Sequence, residues 1–161
     1  MNQETASTLV TVVETIERVC RAHVAIADFD YGDLQVFYNQ VYNYPMCYLE
    51  TIADLQEGTL GATHTYTVTL NVVDRRAAAA PKDTQPLVHL QDKLSQLFFE
   101  IKNVLQLDFF FGKERVSPAD ILIFPDFADV HTLRLRAEFQ VTIDTIDNDY
   151  PDLKILFPTL F

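Results

Sequence analysis

The chain is 161 residues long with 12 Lys and Arg against 23 Asp and Glu, a formal net charge of −11. One domain accommodates this length, and folding at this size removes about 70% of the surface an unfolded chain exposes. With 48% hydrophobic residues, 12 Phe and 7 Tyr among them, the chain can build a core without disulfides or a structural metal. The acidic balance disfavours sequence-independent binding to nucleic acid or to an anionic membrane surface, because phosphates are repelled. No stretch approaches the roughly 18 apolar residues of a membrane span, and positions 1–8 are polar without a basic stretch, so neither a membrane helix nor a secretory signal is expected. Synthesis is expected in the cytoplasm.

Leu9, Val12, Val13, Ile16, Val19, Cys20 and His23 follow the i, i+3, i+4, i+7 rule, which predicts an amphipathic helix over 7–22. Glu14, Glu17, Arg18 and Arg21 fall on its other side. Residues 27–44 mix aromatic residues at helical and strand spacings around Gly32 and read as a connector with one helical turn after Asp33. Residues 44–52 read as a strand with Pro45 at its beginning or on an edge, since proline donates no hydrogen bond to a ladder. Residues 53–61 carry two glycines and read as a turn or hairpin loop.

Over 63–74, Tyr66, Val68, Leu70 and Val72 alternate with Thr65, Thr67, Thr69 and Asn71, the pattern of a strand with one buried face. The charged, alanine-rich stretch 75–86 with two prolines is expected to be a long loop. A second amphipathic helix, beginning at Pro86 or Leu87 and ending near Leu107, follows from Leu87, Leu90, Leu94, Leu97, Phe98, Ile101, Val104 and Leu105. The apolar runs 109–111 and 121–124 each read as a short strand or part of an irregular hairpin, and 126–129 as a turn. Over 132–144, Leu133, Leu135, Ala137, Phe139, Val141 and Ile143 alternate with Arg134, Arg136, Glu138, Gln140 and Thr142, a second long strand of the antiparallel kind. Residues 153–161, LKILFPTLF, are strongly apolar and read as a core strand or as a C-terminal arm docking on a neighbour. The expected fold is a single α+β domain over 1–161, a mainly antiparallel sheet with two amphipathic helices packed on one face.

Catalytic motifs are scarce. The chain carries no Gly-rich phosphate loop, G-x-S-x-G, H-E-x-x-H or C-x-x-C, and only 4 glycines. Asp28, Asp30 and Asp33 surround Gly32, but the glycine comes one position too early for a calcium loop, and Asn39 stands where a bidentate Glu is required. Asp147, Asp149 and Asp152 lack a following glycine and read as a charged turn. His23, His64, His89 and His131 lie on separate elements without metal-ligand spacing, and Cys20 and Cys47 read as reduced and structural. No cofactor and no metal are expected. What remains is interaction surface: the polar face of 132–144, the 75–86 loop and the apolar 153–161 segment.

The segment FDYGDLQVFYNQVYNYPMCYLET, through Phe29, Tyr31, Gly32, Asp33, Leu34, Tyr44, Pro45, Met46 and Leu49, resembles tail-completion proteins of tailed bacteriophages. The likeness continues through Val72, Val73, Asp74 and Arg75, then a loop, an amphipathic helix and a late long strand. The resemblance implies a small α+β domain acting as a tail terminator or neck protein. Such a protein forms a ring, usually of six copies, that caps the tail tube and joins it to the head-side connector. It implies a place in the virion, no catalysis, and DNA passing through the ring without specific binding. The contact residues expected on that reading are Arg75, Arg76, Arg134, Arg136, Glu138, Gln140, Leu156, Phe157, Leu160 and Phe161. Arg134 and Arg136 are expected to pair with acidic residues of the next subunit. Neighbouring readings are a head-to-tail adaptor or a tube component, and from another class a small metal-dependent hydrolase using Asp28, Asp30, Asp33 and a histidine.

Overall fold

The structure, a computed structural model, describes residues 8–75, 85–125, 132–145, 155 and 158–160. Helix α1, Thr8–Ala22, buries Val12, Ile16, Val19 and Cys20, the stripe set by its apolar spacing. Strand β1, Asp28–Gly32, and the short helix α2, Leu34–Tyr38, follow. Strands β2, Met46–Glu50, and β3, Leu55–Glu57, lead through a 3₁₀ turn at Thr59–Gly61 into the long strand β4, Thr63–Arg75. Helix α3, Gln85–Leu105, is followed by β5, Asp120–Pro125, and β6, Thr132–Asp144.

The strands form one mixed sheet in the order β1-β2-β4-β6-β5, with β3 also paired to β4. Only the β1–β2 pairing is parallel; the others are antiparallel. The α+β expectation therefore holds, with a parallel pair at one end that the alternation of the long strands does not signal. At the centre, β4 and β6 pair from Thr63 opposite Asp144 to Arg75 opposite Thr132.

Alternation along these strands sends Val68, Leu70 and Val72 of β4, with Leu135, Ala137 and Phe139 of β6, to the face where α1 and α3 contribute Ile16, Leu94, Phe98 and Ile101 to one shared core. Phe98 meets Phe139 with ring centroids 6.2 Å apart. At the rim of this layer Lys93 Nζ of α3 lies 2.7 Å from Oδ2 of Asp74, a buried carboxylate at the end of β4. The ion pair ties the helix to the end of the strand.

Two elements depart from the sequence reading. Residues 28–32 form a strand rather than part of a connector, because Phe29 and Tyr31 alternate with Asp28 and Asp30 and add to β2 in parallel register. Aspartate and glycine, both poor strand formers, mask that alternation. Residues 55–57 pair with β4 although all three are exposed, since β4 extends beyond β2 and offers an unmatched edge there. The helical turn after Asp33, the placement of Pro45 just before β2 and the strand over 132–144 match expectation. Of the 109–111 and 121–124 runs, the first lies in a turn and the second in β5. Most of the 75–86 and 153–161 segments, and the turn expected over 126–129, lie outside the described residues.

Phe98 is fully buried between α3 and β6. Phe98→Ala should cost about 3–5 kcal/mol, through lost apolar burial and the residual cavity. A urea denaturation midpoint with an unchanged m-value checks this; a loss below about 1 kcal/mol would show that the site collapses around the smaller side chain.

Candidate assembly surface

The face of the sheet turned away from α1 and α3 is built by the other set of alternating residues. Met46 and Tyr48 of β2 lie beside Val73 and Asn71 of β4; Val73, Asn71 and Thr69 lie beside Arg134, Arg136 and Glu138 of β6, and these beside Phe124, Leu122 and Asp120 of β5. Its character changes along the strands. Near the start of β6 it is closed, with Val73 and Met46 fully buried and Arg134 only 8% exposed. Toward the end of β6 it opens, and Gln140 is exposed.

Arg134 is held inside the subunit. Its Nη1 donates to Asn71 Oδ1 at 3.2 Å, and its guanidinium carbon lies 4.5 Å from the Phe124 ring centroid. Burial lowers its pKa from the usual arginine value. Asn71 Nδ2 in turn donates to Glu50 Oε2 at 2.9 Å and to the Tyr48 carbonyl at 3.3 Å. The expectation that Arg134 pairs with acidic residues of the next subunit therefore meets a physical obstacle. Arg136 is more accessible: its guanidinium lies 3.5 Å from both Glu50 and Glu138, so it sits at the exposed end of an acidic and basic ladder. Leu122 of β5, paired with Arg136 across the strands, is 56% exposed beside it.

The two edges of the sheet differ. On β1 the N–H groups of Phe29 and Tyr31 donate to the carboxylates of Asp28 and Asp30, at 3.0 and 2.8 Å. Arg21 Nη2 donates to the Phe29 carbonyl at 3.3 Å. These contacts occupy groups that an incoming strand would use, and the carboxylates add charge to the edge. On β5, no strand among the described residues pairs with its outer side.

Residues of the segment carrying the family resemblance converge on the β1–α2–β2 unit. Tyr48 donates its hydroxyl to the Asp33 carbonyl at 2.7 Å, Thr51 donates to Asp33 Oδ1 at 2.7 Å, and Ala27 N–H donates to the Pro45 carbonyl at 2.7 Å. The Tyr44–Pro45 peptide is cis. A Cβ on Gly32 would stand 3.2 Å from the Tyr48 hydroxyl oxygen, so the glycine makes room for that ring. Phe37 stacks on Tyr42 at 5.2 Å and meets Tyr48 edge-on at 5.1 Å. Arg75 lies 4.7 Å from the Tyr44 ring centroid, so the end of β4 is joined to the same aromatic group. The sequence displays these aromatic residues but not their joint purpose, which is to support α2 and the loop after it on the sheet.

Of the remaining expected contact residues, Leu160 is exposed, while Arg76, Leu156, Phe157 and Phe161 lie outside the described residues. Asp28 and Asp30 are engaged with backbone N–H groups and, for Asp30, with the Tyr42 hydroxyl at 2.6 Å. Among the described residues no group of three or more His, Cys, Asp or Glu side chains is placed to hold a metal ion. His64 meets Thr8 Oγ1 at 2.9 Å, His23 meets Glu100 at 2.5 Å, His89 is exposed on α3, and His131 lies outside the described residues. Cys20 and Cys47 are free thiols in the core, and the Cys20 pKa is raised by its hydrogen bond with Cys47 and by burial. No described helix is long and apolar enough to cross a membrane. The chain matches no protein-family model and no curated protein.

Two predictions follow from this geometry. Replacing Arg134 with Glu should unfold or strongly destabilise the subunit, by about 3 kcal/mol or more, because an uncompensated carboxylate enters a site built for a cation. A denaturation curve superimposed on that of the wild type would contradict the placement. The Tyr42 pKa is raised by burial first and by its bond to Asp30 second, and Tyr48 is raised by burial. The fold thus favours the neutral phenols. Their contribution is complete below the unfolded value of about 10 and is lost as pH rises above it. Melting temperatures should fall through that alkaline range, and Tyr42→Phe should flatten the decline while lowering stability at neutral pH by about 1–2 kcal/mol.

Proposed function

We propose that the chain is a structural virion protein of a tailed bacteriophage, a ring-forming tail terminator or neck protein that caps the tail tube and joins it to the head connector. The observation that carries this reading is the inequality of the two sheet edges. Ring closure uses heterologous contacts, in which one surface of a subunit meets a different surface of the next. A blunted β1 edge opposes β1-to-β1 pairing, and the β5 edge, which no strand among the described residues covers, offers with Leu122 and the Arg136 ladder beside it a surface for an unlike partner. The family resemblance supports the same reading, because its residues build the unit that closes the β1 side.

Charge fits the role. Six copies would carry roughly −66 formal charges, and an acidic passage repels phosphates, so DNA slides through without adhering. The protein would be made in the host cytoplasm and assembled into the tail or neck, with the tube protein on one side of the ring and the head-side connector on the other. Its work is recognition between subunits rather than catalysis.

Images of the purified protein in negative stain, together with light scattering, test this. Closed rings with a central hole are expected. Arg136→Gln, which removes the charge without setting a third carboxylate beside Glu50 and Glu138, and Leu122→Asp should each lower the ring fraction at least tenfold while the monomer melts within a few degrees of the wild type, since both positions are partly exposed. Rings that persist unchanged in both variants would remove this face from the interface. A wild-type sample that stays monomeric at all concentrations and on isolated tail tubes would overturn the ring reading itself.

A further inference from the structure

On the helical side of the sheet an open cleft of about 240 Å³ lies between the C-terminal halves of α1 and α3. Val19 and Ala22 of α1, Ile101 and Val104 of α3, and Phe110 of the following turn supply its apolar lining. Its rim is polar: Arg18 stands on one side, and His23 Nε2 meets Glu100 Oε2 at 2.5 Å on the other. The Arg18 guanidinium lies 5.7 and 5.6 Å from the ring centroids of Phe109 and Phe110, which fixes the turn against α1. Phe109 is nevertheless 76% exposed, and Val104 and Leu107 remain open to solvent. Exposed apolar side chains grouped around a cleft with a polar rim mark a contact site. The volume falls below the roughly 300–1,000 Å³ of small-molecule sites and suits one or two large side chains instead.

The same chain carries a ligand of matching chemistry. Leu153, Ile155, Leu156, Phe157, Leu160 and Phe161 lie within nine residues, and Ile155 and Leu160 are 75% and 73% exposed, so neither is buried in the subunit's own core. Charge agrees as well. Lys154 suits the Glu100 side of the rim, where Ala22 ends α1 and the partial negative charge of that helix C-terminus adds to the carboxylate; Asp152 suits Arg18.

We infer that the cleft between α1 and α3 receives the 153–161 segment of a second copy of this chain. The inference rests on the ring reading and deepens it: an arm entering a cleft is a heterologous contact, which repeats from subunit to subunit until a ring closes. Arm and cleft would thus supply an interface separate from the outer sheet face.

A labelled synthetic peptide of residues 150–161 tests this by fluorescence anisotropy. The receptor is the full chain carrying Phe157→Asp, so that its own arm does not compete. Saturable binding is expected, weakened at least tenfold by adding Val104→Glu or, as a second cleft variant, Phe109→Ser, with melting curves confirming that each receptor is folded. Absence of binding to the Phe157→Asp receptor, or equal binding to the cleft variants, overturns the inference. The two readings also fail separately. If Phe157→Asp and Val104→Glu chains form rings as the wild type does, the arm is not the joint and the ring stands. If the wild type is strictly monomeric while the peptide binds the cleft, the arm belongs to its own subunit, and both the second-copy occupant and the ring are wrong.

Discussion

The pairing of β4 with β6 is the constraint from which both faces of the molecule derive. Each strand has thirteen residues, and they pair in antiparallel register along their whole length. Strand side chains alternate, so a slip of one residue would exchange the core for the polar face. Fixed as it is, the ladder places Leu135, Ala137 and Phe139 under the helices and Arg134, Arg136 and Glu138 on the reverse. The β2 strand then adds on one side and β5 on the other, each inheriting the parity of its neighbour.

That parity does not make the reverse face uniform. Arg134 and Arg136 are two positions apart on the same strand and look alike in the alternation. Position along the ladder separates them: Arg134 lies opposite Val73, next to the Phe124 ring, while Arg136 lies opposite Asn71, within reach of Glu50 and Glu138. The first is a component of the fold, held by contacts that also keep Asn71 and β2 in place. The second is 31% exposed and lies between two carboxylates of its own subunit, Glu50 and Glu138. The reverse face is thus divided between a buried end, stabilised by the aromatic group around Phe37 and Tyr48, and an open end next to the β5 edge. On the proposed reading this division keeps the subunit folded before assembly and reserves its accessible charges for the neighbour.

Elements whose signal is local were legible in the sequence. The stripes of α1 and α3 and the alternation of β4 and β6 each repeat over many residues, so periodicity identifies them. β1 is hidden because Asp28 and Asp30 replace the residues strands favour, and their carboxylates instead accept N–H groups of the same strand. β3 was hidden because its pairing depends on the overhang of β4 and not on its own side chains. For the candidate surface, the sequence indicated the strand but not the partners. Asn71, Glu50, Phe124 and Leu122 come from three other strands, and no spacing along the chain brings them together. The α1–α3 cleft has no signal in the sequence: Val19 and Ile101 read as parts of apolar helix stripes and Phe110 as part of a short strand or irregular hairpin, and only the packing brings them around one space.

The measurement that tests the account most directly is the mass of the intact protein by native mass spectrometry over a wide concentration range. One closed species of fixed copy number, with six as the expected value and without a ladder of ever larger multiples, is the predicted result. A continuous ladder would mean that the unlike surfaces propagate without closing. A single mass equal to one chain at every concentration, unchanged when tail tubes are supplied as a template, would contradict the claim that this fold exists to assemble.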